Sequence, residues 1–160
     1  MAYDITIYTD GSALGNPGKG GYGIVLISGK YRKELSQGFK ITTNNRMELM
    51  AVIVALEQLK YKGCNVTVYS DSKYVVDSIS KGWLANWRRN GFKGKKNADL
   101  WRRYLEVSKG QNVVFQWVKG HADTPGNLRC DQLAVAAANS QNLLDDTGYN
   151  SAMENNMDFD

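Results

Sequence analysis

Residues 8–23 read YTDGSALGNPGKGGYG and lead into GIVLIS, so a stretch dense in glycine runs straight into a β-branched apolar segment. This junction limits the possible folds more than any other part of the chain. Gly18, Gly20 and Gly23 satisfy G-x-G-x-x-G, a spacing that lets backbone amides approach a pyrophosphate. A dinucleotide site, however, needs those glycines to open a helix whose N-terminus faces the phosphates, and here they open a strand. A P-loop is excluded too, because Lys19 is followed by Gly20 where Ser or Thr is required. The remaining reading is a hairpin, with Asn16-Pro17-Gly18 turning the chain between two apolar runs. Asp10 ends the first run and is not explained by the hairpin: it either starts the turn or presents its carboxylate to a ligand.

The rest of the chain extends that start. DITIYT alternates as a half-buried strand does, YGIVLI follows the turn, and KELSQGF returns as a third strand. From Asn45 to Tyr61, Leu49, Val52, Ile53, Leu56 and Leu59 fall at helical spacing, with Gly63 as a stop. NVTVYS is a strand ending at Asp71; SKYVVDSIS, WLANW and NADLWRRYLEVS are helical; VVFQWV is a strand; Leu128 to Asn142 is a final helix. Three strands followed by alternating helices and strands predict an α/β fold, a mixed sheet with an antiparallel start and helical crossovers later.

At 160 residues the chain is expected to form one domain with its own core. Its apolar runs are too short to span a bilayer, and MAYDITIYTDG lacks the pattern of a signal peptide. Cys64 and Cys130 have neither metal-site nor disulfide-framework spacing. A soluble protein of the cytoplasm is therefore expected. The last sixteen residues hold five acids and no base, so the formal +4 of the whole chain becomes +9 for the remainder. An excess of that size suits a polyanionic partner or simply keeps a protein soluble. The segment after Leu144 lacks periodicity, which predicts a domain over residues 1–144 and an acidic, disordered tail over 145–160 that packs against nothing.

Four acids sit at predicted element ends: Asp10, Glu48, Asp71 and Asp131. Each has a local explanation. Asp10 can begin a turn, Glu48 can complete a capping box with Asn45, Asp71 can cap a helix, and Asp131 can favour a helix dipole. Jointly they read differently. If the first strand lies at the sheet centre, the four converge, and carboxylates so placed repel one another unless a hard cation compensates. All-oxygen ligands favour magnesium or manganese over zinc, and paired ions about 4 Å apart serve in-line displacement at phosphorus.

These residues lie in blocks that resemble type 1 ribonuclease H over roughly residues 3–142: YTDGS, GNPG, TTNNRMELMA, VYSDSKYV, WVKGHA and NLRCDQLA, in that order. The resemblance implies a ribonuclease H-like fold, a five-stranded mixed sheet flanked by helices. It also implies a magnesium-dependent endonuclease, with manganese a possible substitute, that cuts the RNA strand of RNA/DNA hybrids by a two-metal mechanism to leave 5′-phosphate and 3′-hydroxyl ends. By the same resemblance Asp10, Glu48, Asp71 and Asp131 hold the metal, and the loop histidine His121 assists proton transfer or product release. Asn16 and Asn44, with Asn45 beside them, face the minor groove, where 2′-hydroxyls distinguish RNA from DNA, and Asn127 supports the site. Thr43 and Asn97 match a phosphate pocket that holds the DNA strand; Ile41 stands where many members have arginine, leaving Lys40 as the nearby charge. No membrane and no obligate protein partner are implied, and a monomer is expected.

KGWLANWRRNGFKGKKNADLWRR places Lys81, Arg88, Arg89, Lys93, Lys95, Lys96, Arg102 and Arg103 among Trp83, Trp87, Phe92 and Trp101. This is either an amphipathic helix pair with a solvated basic face or a groove that tracks a nucleic-acid backbone. It resembles the family's basic protrusion, which grips the DNA strand, with Trp83 in the channel and a shorter loop between Phe92 and Asn97.

Overall fold

A computed structural model describes residues 3–120 and 124–157, with side chains described through residue 153. The glycine-rich stretch is a hairpin. β1 (Asp4–Ala13) pairs antiparallel with β2 (Gly18–Ser28), and β2 with β3 (Tyr31–Thr42), giving the expected meander. α1 (Asn44–Glu57) follows, then β4 (Asn65–Ser70), α2 (Lys73–Ser80), α3 (Trp83–Arg89), α4 (Ala98–Ser108), β5 (Asn112–Trp117) and α5 (Pro125–Ala138). β4 lies parallel to β1, and β5 parallel to β4, so β1 is central.

The sheet has six strands among the described residues, ordered β5-β4-β1-β2-β3-β6, where five were expected. The extra one, β6 (Leu143–Leu144), is two residues long and pairs parallel with Gly38 and Phe39 of β3. Two residues carry no alternation, so no sequence pattern announces it. The α/β class is as expected, and none of the described helices is long and apolar enough to cross a membrane.

The glycines serve helix packing as well as the turn. A Cβ on Gly20 would meet the side chain of Met47, whereas one on its neighbour Gly21 would lie 2.6 Å from the Ala134 carbonyl oxygen. Consecutive strand residues point to opposite faces, so α1 and α5 cover opposite faces of the sheet. On the α5 side a Cβ on Gly23 would be 2.2 Å from Cys130 O, and one on Gly38 2.1 Å from Ala137 O. Three glycines against Ala134, Ala137 and Ala138 let the helix backbone rest almost on the strand backbone. α1 is buried along nearly its whole length, from Arg46 to Leu56, because α4 packs on the side away from the sheet.

Three local readings are corrected. Thr43, not Asn45, caps α1, its hydroxyl accepting from Arg46 N at 3.3 Å, so Glu48 lies too far along the helix for a capping box. Ser72, not Asp71, caps α2. α5 begins at Pro125 under a Thr124 cap, three residues before the expected start at Leu128, so Asp131 lies in mid-helix and not at the helix start. Pro at the first position needs no hydrogen-bond donor and favours a helix there.

The tail also departs from expectation. α6 spans Thr147–Met157, and Asp146, 2% exposed at its side chain, binds the 3%-exposed Arg46 through Nε at 2.7 Å and Nη2 at 2.9 Å. Thr42 donates to the same carboxylate at 2.7 Å. A boundary after Leu144 therefore cuts off the partner of a buried cation. Local pattern could not announce this pair, because the two residues are a hundred positions apart.

Candidate active site

The first two acids are placed by strand pairing. The last registered pair of β1 and β4 is Tyr8 with Tyr69, and Asp10 and Asp71 each stand two residues beyond it. The Trp117 indole donates to Asp71 O at 3.2 Å, holding that backbone in place. Glu48 arrives on α1, which crosses so near β1 that a Cβ on Gly11 would be 2.4 Å from Glu48 N. Gly11 therefore has to be glycine, and its amide donates to Asp10 Oδ1 at 2.9 Å. Carboxylate oxygens of Asp10, Glu48 and Asp71 all lie within 4.8 Å of one another.

Asp131 joins from the opposite face. α5 is pinned over the strand ends by the Cys130 thiol, which donates to Tyr8 O at 3.1 Å, and by Asn127, whose amide donates to Tyr69 O at 3.3 Å. Asp131 thereby comes within hydrogen-bonding and charge range of Asp10. Asn127 is buried, its amide oxygen accepting from Thr124 Oγ1 at 2.7 Å. In this position Asn127 buttresses α5 against the end of β4. His121 lies outside the described residues.

The electrostatics are those of acids forced together. Burial, then the charge of Asp71, then Asp131 push the Asp10 carboxyl up to about 7. Glu48 is raised well above the ordinary carboxylate range by burial and by the charges of Asp10 and Asp71. Its Oε2 is buried with no hydrogen-bond partner among the described residues, a condition that normally costs about 1–3 kcal/mol. A divalent cation among these oxygens would answer both problems. Among the described residues the cluster holds neither His nor Cys, and this all-carboxylate donor set fits a hard ion.

The polar helpers divide by location. Asn16 Oδ1 accepts from Asn44 N at 3.1 Å, tying the β1–β2 turn to the start of α1, and Asn45 is exposed beside them. Asn97 and Thr43 are half-exposed and both bonded to Arg46. Lys40 is exposed, 3.6 Å from Asp145, and Ile41 is exposed as well.

In the basic segment Lys81, Arg88, Arg89, Lys93, Lys95 and Lys96 are all exposed. The aromatics are not a continuous platform. Trp101 and Phe92 are buried and Trp87 is half-buried, leaving Trp83, 42% exposed under Lys81, as the one surface ring of the four. Lys95 caps Trp87 at 5.3 Å and Arg102 caps Phe92 at 5.2 Å. Arg103 is bound to Glu57. Sequence reasoning missed Gly11, Arg46 and Tyr74. An arginine inside the apolar face of α1 was the available signal, but its partners Asp99 and Asp146 are remote in sequence.

Comparison with known proteins places this geometry. The ribonuclease H family model matches residues 2–139. The ribonuclease H of Desulforamulus reducens is 59% identical over 145 residues, covering 88% of this chain and 91% of that protein. Among solved structures, a type 1 ribonuclease H carrying the type 2 active-site motif superposes with a TM-score of 0.79 at 31% identity, covering 95% of this chain and 82% of that one. Another type 1 enzyme, solved in complex with an RNA/DNA hybrid, gives 0.67 at 28% identity, covering 84% and 96%.

Proposed function

We infer that this chain, which belongs to the ribonuclease H family, is an endonuclease that hydrolyses the RNA strand of RNA/DNA hybrids, leaving 5′-phosphate and 3′-hydroxyl ends. The observation that carries the chemistry is the convergence of Asp10, Glu48 and Asp71 from three elements, one of their oxygens buried and unpartnered. Magnesium, with manganese as substitute, is the proposed cofactor, held by these three with Asp131. Two such ions, when bound, supply an acidified water as nucleophile and neutralise charge at the leaving oxygen.

The chain's own groups do the rest. Glu48, enclosed between α1 and β1, fixes the inner wall of the site, while Asp10 and Asp71 orient from the strand ends. His121 is proposed to carry a proton between the site and solvent, a role suited to a side chain that titrates near neutrality. Attack on phosphorus breaks its bond to the 3′-oxygen, which leaves with a proton.

Selection of RNA is assigned to the Asn16–Asn44–Asn45 corner. The Asn16 oxygen is engaged by Asn44, so its NH₂ remains to probe the minor groove for 2′-hydroxyls. The DNA strand is held by Thr43 and Asn97, by the exposed cations from Lys81 to Lys96, and by Trp83. All four acids come from one chain, which supports a monomer, and the buried free thiols of Cys64 and Cys130 fit the reducing cytoplasm.

The test is a substrate panel in magnesium: RNA/DNA hybrid, double-stranded RNA and double-stranded DNA, with wild type and Asp10→Asn. Cleavage confined to the RNA of the hybrid, and lost in the variant, is expected. Cutting of double-stranded DNA at comparable rate would refute the substrate assignment.

A further inference from the structure

We propose that Tyr74 is a positioning residue for DNA-strand grip: its hydroxyl, working against Arg46, sets the Asn97 side chain so that one amide hydrogen faces a substrate phosphate. The inference rests on the reading above that Asn97 and Thr43 hold a phosphate of the DNA strand. It adds what fixes them, and why that anchor keeps its distance from the carboxylates.

Asn97 precedes α4 in a left-handed conformation, φ 65° and ψ 23°, and its side chain makes no cap hydrogen bond with that helix. Asparagine tolerates this region better than most residues. Its side chain is committed elsewhere. Oδ1 accepts from Arg46 Nη1 at 3.3 Å, and Nδ2 donates to the Tyr74 hydroxyl at 3.1 Å. The orientation follows from chemistry, because a guanidinium only donates and must be met by the amide oxygen. The NH₂ is thereby turned to Tyr74, and its second hydrogen has no protein partner among the described residues.

Both holders are themselves fixed. Arg46 uses all five of its N–H groups, four on Asp99 and Asp146 at 2.7–2.9 Å and one on Asn97. Its backbone N–H donates to Thr43 Oγ1, so both proposed phosphate ligands hang from one buried arginine. Tyr74 receives a second hydrogen bond, from Trp101 Nε1 at 2.9 Å, and its ring packs against that fully buried indole at 5.8 Å. Tyr74 lies in the first turn of α2, three residues after Asp71. One short helix therefore links a catalytic carboxylate to the side chain that aims Asn97, which sets the spacing between the cut RNA phosphate and the anchored DNA phosphate.

The experiment is a double-mutant cycle on hybrid cleavage with Tyr74→Phe, Asn97→Ala and the pair, reading KM and kcat separately, with Tyr104→Leu, which packs on the far side of Trp101, as a packing control. Tyr74→Phe should raise KM about 3- to 10-fold, the effect of one modest hydrogen bond, with kcat within about twofold. Asn97→Ala should raise KM at least as much, and adding Tyr74→Phe to it should change nothing further. Tyr104→Leu should lower Tm without this rise in KM. In the free protein, NMR should find the Asn97 side-chain NH₂ ordered in wild type and mobile in Tyr74→Phe, a readout independent of activity. An unchanged KM in Tyr74→Phe, additive effects in the double variant, or an equal rise in Tyr104→Leu would overturn the proposal. If Asn97→Ala itself leaves KM unchanged, the anchoring role falls and this inference with it, while the hydrolytic reading stands.

Discussion

Asp146 offers a direct measure of how far the acidic end of the chain belongs to the domain. Asp146→Ala would strip the buried Arg46 of two hydrogen bonds and its more deeply buried ion pair, and would leave the buried Thr42 hydroxyl without its acceptor. Removing one member of a buried pair costs about 3–5 kcal/mol because the other charge stays behind. Here Asp99, itself half-exposed, still binds the guanidinium at 2.7 and 2.9 Å, which argues for the lower end, and the Thr42 hydrogen bond adds about 1 kcal/mol. The expected loss is therefore about 3–4 kcal/mol, or a fall in Tm of roughly 6–15 °C for a chain of this size. Urea and thermal melts of the wild type, Asp146→Ala, a chain ending at Leu144 and a chain ending at Asn150 would measure it. The first two changes should be similarly damaging, and the chain ending at Asn150 should keep most of the wild-type stability. A loss below about 1 kcal/mol in Asp146→Ala would refute the reasoning, since Arg46 would then have been satisfied without its buried partner.

Three further outcomes follow from the same structure. The Asp10 carboxyl binds its proton more tightly folded, at about 7, than at its ordinary 3.8, so this stabilisation is complete below about pH 4 and lost as pH rises towards 7. Urea melts in chelator should accordingly find the metal-free wild type on the order of 2–4 kcal/mol less stable at pH 8 than at pH 4, and Asp10→Asn should flatten that slope while abolishing cleavage; a flat wild-type profile would contradict the assignment. Gly23→Ala should cost about 1–3 kcal/mol or more through overpacking and also lower cleavage, because the helix it displaces carries Asp131; Gly29→Ala, at φ +58° with open space around it, should cost only about 1–2 kcal/mol of backbone strain and spare activity, and equal melts for the two would sink the close-packing argument. Replacing Arg88, Arg89, Lys95 and Lys96 together by alanine should raise KM and flatten its salt dependence by up to roughly 0.9 for each phosphate no longer neutralised, whereas Trp83→Ala should weaken binding at an unchanged slope; KM measured at several salt concentrations separates these from a merely solvated helical face.

What the sequence determined by itself is whatever rests on local pattern. Alternation in DITIYT and the turn residues Asn16-Pro17-Gly18 specify a hairpin without reference to the rest of the chain. The spacing of Leu49, Val52, Ile53 and Leu56 specifies a helix, and each acid could be matched to a family block, although Asp131 lies in mid-helix and not at an element end. Tertiary structure decided everything that joins residues distant in the chain. It put β1 between β2 and β4, so that Asp10 and Asp71 became neighbours, and it gave the glycines their main task, which is to let α1 and α5 rest on the strands. It turned Phe92 and Trp101 inward and left Trp83 exposed, a division that periodicity leaves open across two short helices and the turn between them. It also made the acidic end a structural part of the domain through one aspartate. The physical reason is common to these cases: propensity and periodicity act over a turn or a strand, whereas a buried ion pair such as Arg46 with Asp146 exists only after the sheet has brought its ends together.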